Sequence, residues 1–134
     1  MAKRSIITDS VVLPAPAGEL FEMYLDAQRH EAITSHAVTI GPESGTPFAA
    51  FDGMLSGTML RVVPPQLIVQ SWRSAHFHDD DPDSTLVLMF LPAGHKARIH
   101  LVHLDVPAHD YQQVVEGWKT HYWQPWLKYL ESIR

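Results

Sequence analysis

The chain has no cysteine among its 134 residues. Disulfides, thiolate metal sites and cysteine nucleophiles are excluded together, and the composition suits a reducing cytoplasm. Positive charge is scarce as well. Ten Lys and Arg stand against fifteen Asp and Glu, for a net charge of −5, and no basic run occurs. A nucleic-acid role therefore has no electrostatic footprint. Long apolar runs are also missing: the longest, Leu86 to Leu91, falls far short of the ~20 residues that cross a bilayer. The basic start at Lys3 and Arg4 is followed by Asp9 before an apolar core can develop, so no signal peptide is expected. The length suits one domain spanning residues 1–134, soluble and cytoplasmic, with core enough to fold without staples.

What the chain does have is a concentration of aromatic residues at its end. The stretch from Ala108 to Arg134 holds three of the four tryptophans and three of the four tyrosines. Tyr111, Val114, Val115, Trp118, Tyr122, Trp126, Leu130 and Ile133 recur at steps of three and four, the stripe of an amphipathic helix. At ~1.5 Å per residue this helix would run ~40 Å. Pro125 lacks an N–H and should clash with the carbonyl of His121, bending the helix. Gly117 costs ~1 kcal/mol against alanine in a helix. It is explained by close packing on a strand or by room for a bound molecule.

Upstream, Ser5 to Leu13 reads as a strand that ends at Pro14. Ala17 to Leu25 reads as a short helix burying Leu20, Phe21, Tyr24 and Leu25. A second short helix covers about Asp26 to Ile33, with Asp26 as its N-cap. Strand signals follow at His36–Ile40, Phe48–Phe51, Met54–Val63, Leu67–Arg73, Ser84–Leu91 and Ala97–Leu104. The hairpin dipeptide Asp52-Gly53 joins two of them, and Gly57 marks a bulge or bend. The short connections dictate an antiparallel meander. Alternation places Ile68, Gln70 and Trp72, then Leu86, Leu88 and Phe90, then Ile99, Leu101 and His103 on one inner face.

The expected architecture is α+β: a curved antiparallel sheet of about seven strands on one long C-terminal helix, with two short helices after the first strand. This is the helix-grip pattern. The runs at Phe51–Arg73, Asp83–Phe90, His100–Pro107 and Glu116–Leu130 resemble the homologues of the heat-shock-protein-90 ATPase activator. That AHSA family lies in the START-like, SRPBCC superfamily and shares the birch-pollen-allergen fold. The most specific matches are Phe51-Asp52-Gly53 with Gly57, Trp72-Arg73, and Gly117-Trp118 with Tyr122. Ser35 departs from the pattern, since relatives often place glycine after the residue matching Thr34. The resemblance implies a hydrophobic molecule held between sheet and helix, or a chaperone-interacting module, or a cyclase or aromatase.

Two polar positions on the inner face, Gln70 and His103, together with Trp72, Trp118 and Tyr122, form the expected ligand-binding set. Gln70 and His103 also read as core residues satisfied by neighbours. His76, His78 and Asp79 to Asp81 match no metal-loop spacing and read as a solvated, mobile loop. No nucleophile elbow, phosphate loop or paired carboxylates occur. The expectation is ligand binding without catalytic residues, metal or cofactor. The expected partner is a small apolar molecule, with a chaperone as the alternative and a second copy of the chain as a further partner.

Overall fold

The computed structural model describes residues 4–133. The basic start at Lys3 and the last position of the expected helix, Arg134, lie outside them. Strand β1 (Arg4–Leu13) is followed by helices α1 (Ala17–Leu25) and α2 (Ala27–Thr34). Strands β2 (Pro47–Ala50), β3 (Leu55–Val63), β4 (Leu67–Ser74), β5 (Ser84–Ala93) and β6 (Lys96–Pro107) come next. They form one antiparallel sheet in the order β1-β6-β5-β4-β3-β2. The two short helices thus carry the chain from one sheet edge to the other. Asp26 caps α2 as expected, accepting from the N–H groups of Gln28 and Arg29. Ser35 ends α2 in the left-handed conformation at φ 66°, the place where glycine is ordinarily favoured.

Six strands form among the described residues, one fewer than the sequence suggests. The segment from His36 to Ile40 meets the sheet only through a bridge between Thr39 and Ala49. The reason lies in Asp52. Its carboxylate accepts from the Ala37 N–H at 3.0 Å and from the His36 ring at 2.9 Å. These contacts draw the segment's start to a side chain and away from a ladder. The hairpin itself turns through Phe51, Asp52 and Gly53, all at positive φ. That is a costly conformation for an aromatic residue.

The inner face follows the two-residue alternation. Ile68, Gln70, Trp72, Leu86, Leu88, Phe90, Ile99, Leu101 and His103 are all buried, while Arg98 and His100 are exposed. Near Gly57 the β3–β4 ladder bends. The Thr58 N–H donates to Ser71 Oγ at 2.8 Å, and a Cβ on Gly57 would collide with the Ser71 carbonyl. Only glycine allows that approach.

The C-terminal helix is continuous but not uniform. It begins after a 3-10 turn (Ala108–Asp110) as α3 (Tyr111–Gly117), widens into a π segment (Trp118–Trp123), and resumes as α4 (Gln124–Ser132). Pro125 sits in the first turn of α4, where its missing N–H is least costly. The Gln124 N–H reaches back five residues to the Lys119 carbonyl. The widened turn thus stands where the proline would otherwise break the ladder. It also rotates Trp123, absent from the expected stripe, into the core. There it stacks on Trp118 at 5.5 Å and donates to Asp9 Oδ2 at 2.9 Å. Ile133, by contrast, is 52% exposed, because the stripe outruns the sheet.

Candidate functional site

Between the α3 half of this helix and the sheet's β3–β4 end lies a cleft of about 740 Å³. Its walls are the rings of Phe51, Trp72, Trp118 and Tyr122, with Met54 and Leu55 on the β3 side and Gly117 on the helix side. The rings form a connected wall. Trp118 lies 4.8 Å from Tyr122 and 6.5 Å from Trp72, and Phe51 meets Tyr122 edge-on at 5.6 Å. Gly117 is not crowded: a Cβ there would meet only ordinary contact, with the His121 ring at 3.7 Å. Of its two readings, room for a bound molecule fits this surrounding better than close strand packing.

The expected set divides. Trp72, Trp118 and Tyr122 line the cleft, whereas Gln70 and His103 do not. Both of the latter are 0% exposed and are held in internal hydrogen bonds. His103 Nδ1 accepts from Trp118 Nε1 at 3.3 Å, and His103 Nε2 lies 2.9 Å from Ser84 Oγ. Ser84 in turn donates to the Trp72 carbonyl at 2.6 Å. An Nδ1 that accepts leaves the proton on Nε2, so the relay runs indole, imidazole, hydroxyl, carbonyl with every donor matched. Burial holds the imidazole neutral, at a pKa of about 3. His103 is thus placed behind the cleft wall and not on it. His103 fixes Trp118, which in turn walls the cleft.

Gln70 belongs to a second knot. Its Oε1 accepts from the Tyr24 hydroxyl at 2.8 Å. The Tyr24 carbonyl accepts from His30 Nδ1 at 2.8 Å, and His30 Nε2 lies 2.9 Å from the Tyr122 hydroxyl. A carbonyl can only accept, so His30 carries its proton on Nδ1, and Nε2 accepts a hydrogen bond from the Tyr122 hydroxyl. Burial lowers the His30 pKa to about 4 and raises the Tyr24 and Tyr122 phenols. Sequence reasoning did not single out His30. Its partner Tyr122 is 92 positions away, and nothing in the short helix around it signals that contact.

The acidic loop between β4 and β5 is more ordered than expected. Arg73 donates to the carbonyls of His78 and Asp81 and to the Asp83 carboxylate. Asp81 is 4% exposed. Its Oδ2 accepts from the His78 N–H and lies 2.9 Å from His109 Nε2. These bonds hold its carboxyl below the usual carboxylate range, His109 contributing most. The possible ligand atoms of His78, Asp81 and His109 fall within 4.8 Å of one another. The two imidazoles, however, stack face to face at 3.8 Å with planes 6° apart. Parallel rings direct their in-plane lone pairs alongside each other, so a shared ion would require the exposed His78 to turn. As arranged, the cluster ties the loop to the start of the C-terminal helix.

A six-stranded antiparallel sheet closed by a C-terminal helix, with two short helices after its first strand, defines the helix-grip class of START-like proteins. Within that class, the chain belongs to the family described as Activator of Hsp90 ATPase homolog 1-like protein, whose profile matches residues 14–130. It is 24% identical over 111 residues to the human activator of 90 kDa heat shock protein ATPase homolog 1. That match covers 79% of this chain and 31% of the human protein. An HSP90 activator from Plasmodium falciparum superposes with a TM-score of 0.79 at 19% identity, over 87% of this chain and 89% of that one. DynU16, a protein in the dynemicin biosynthetic locus, gives 0.79 at 16% identity, over 96% and 48%. CalU16 from Micromonospora echinospora gives 0.69 at 21% identity, over 90% and 78%. At these identities the structures establish the fold alone. No helix among the described residues is long and apolar enough to cross a membrane.

Proposed function

We propose that this protein binds a small apolar or amphipathic molecule in the cleft between sheet and helix, without chemistry of its own. The observation that carries the reading is a 740 Å³ cleft walled by four aromatic rings and left open by Gly117. Clefts of this size bury a small organic ligand, and indole and phenol rings supply large contact area at low entropic cost. His103, the acid–base group a cyclase reading would rely on, is sealed behind Trp118 and disfavours that alternative. Binding of the neutral dye N-phenyl-naphthylamine, followed by its emission and by tryptophan quenching, tests the reading. Saturable one-to-one binding is expected. No binding of the dye, and no retained molecule in native mass spectrometry of fresh protein, would end it.

A second reading rests on the family. The human and Plasmodium relatives are named as activators of HSP90, and this chain corresponds to part of the human protein. Under this reading the domain docks on a chaperone. An ATPase assay of the cognate chaperone with and without the protein decides it, since a pure small-molecule binder leaves turnover unchanged.

A further inference from the structure

The fixed charges lining the cleft are all negative. Asp52, Asp110 and Glu116 supply carboxylates, and no Lys or Arg among the described residues lines it. The other titratable groups on its walls are the imidazoles of His36, His76 and His121 and the Tyr122 phenol. An imidazole adds positive charge only when protonated. Arg73 follows Trp72 on β4 and so faces away from the inner side, where it is committed to the acidic loop.

The three carboxylates differ. Asp52 is occupied by His36 and the Ala37 N–H, and Glu116 is exposed. Asp110 is 3% exposed, and no hydrogen bond or ion pair to its side chain occurs among the described residues. It stands at the cap position of α3, yet its carboxylate takes none of the free N–H groups there. Burial pushes its carboxyl above the usual range, against the pull of His76 and His109, and Asp81 adds to the rise. A largely buried carboxylate with no partner gains from a counter-charge that reaches it.

Resting on the cleft being a binding site, we propose that it takes cationic amphiphiles, molecules with an apolar body and an ammonium head that pairs with Asp110 beside the rings of Trp72 and Trp118. Aromatic walls favour such a head through the ring quadrupole, an effect that grows when water is excluded. A carboxylate or phosphate head would instead meet three like charges and no fixed cation.

The test is a matched series with one apolar body and three heads: naphthylmethylamine, naphthylmethanol and naphthoate. Each is titrated as a competitor of N-phenyl-naphthylamine on the full chain. The amine is expected to bind about tenfold or more tighter than the alcohol, a gap worth ~1.4 kcal/mol, and naphthoate weakest. Asp110→Asn should remove the amine's advantage over the alcohol. Equal binding of amine and alcohol, or tighter binding of naphthoate, would overturn the charge preference and leave the cleft reading intact. An amine advantage that survives in Asp110→Asn would overturn the assignment of Asp110. Failure of the dye and of all three compounds would remove the cleft reading, and this one with it. If the Asn variant does not fold, the ranking on the unaltered protein decides alone.

Discussion

The two halves of the C-terminal helix face the same sheet and do opposite things. Beyond Pro125, Trp126 and Leu130 are each 1% exposed, α4 packs on α2, and the space beneath is filled by Tyr24, His30 and Gln70. Before Pro125, Gly117 withholds a side chain and Trp118 is pinned by His103. There Trp123 still packs into the core, but the space beside Gly117 stays open. Tyr122 stands at the border, with its hydroxyl in the sealed knot and its ring on the cleft wall. The contrast shows how a helix-grip domain keeps a cleft without losing its fold. One half of the helix is sealed against its neighbours, while the other buries its rings and still borders a cleft.

The sharpest way to break this comparison is to truncate one side chain on the sealed side and one at the cleft. Trp126→Ala should cost ~3–5 kcal/mol in denaturant unfolding, as truncation of a buried aromatic does. Met54→Ala at the cleft, where Met54 is 44% exposed, should stay within ~0.5 kcal/mol. Similar losses for both would mean the cleft half is packed after all.

Acid should act through the sealed groups. His30 and His103 are neutral when folded, with pKa values of about 4 and about 3, and titrate near ~6.5 when unfolded. The unfolded chain binds more protons across that interval. Stability is therefore full above the unfolded value and falls as pH drops toward the folded ones. From pH 7 to pH 5 the pair should remove ~3–4 kcal/mol. Replacing His103 with Gln should roughly halve that slope. An unchanged slope in the variant would show that His103 does not carry its share.

Smaller effects sharpen the border. Tyr122→Phe should lose ~1–2 kcal/mol through the orphaned His30 nitrogen, with dye affinity within about twofold. A large loss of affinity would move Tyr122's hydroxyl into the cleft. At Gly117, alanine should stabilise by up to ~1 kcal/mol, since its Cβ meets only ordinary contact. Leucine at the same position should fold as well yet block the dye. Dye binding unaffected by leucine would place the ligand elsewhere.

The faces of β4, β5 and β6 were legible because a strand's side-chain period is fixed at two by the backbone, and every inner position from Ile68 to His103 obeys it. The helix stripe was legible for the same kind of reason, and Val114, Trp118, Tyr122, Trp126 and Leu130 are all buried. It left out Trp123, because the π segment ahead of Pro125 changes the period, and period counting assumes that it does not change. His30 and Asp110 were not legible at all. One meets Tyr122 across the fold, and the other is buried where β6 runs into α3. No local pattern encodes either contact.

By itself, then, the order of residues determined the sheet, its greasy side, the terminal helix and the place where that helix had to yield. Those are consequences of backbone periodicity and of a proline without an N–H. Only the folded arrangement decided that Gln70 and His103 would be sealed, and that Asp110 would stand unpartnered beside open aromatic rings. Hydrogen bonding and desolvation are set by neighbours distant in the chain, and those neighbours exist only once the helix has closed over the sheet.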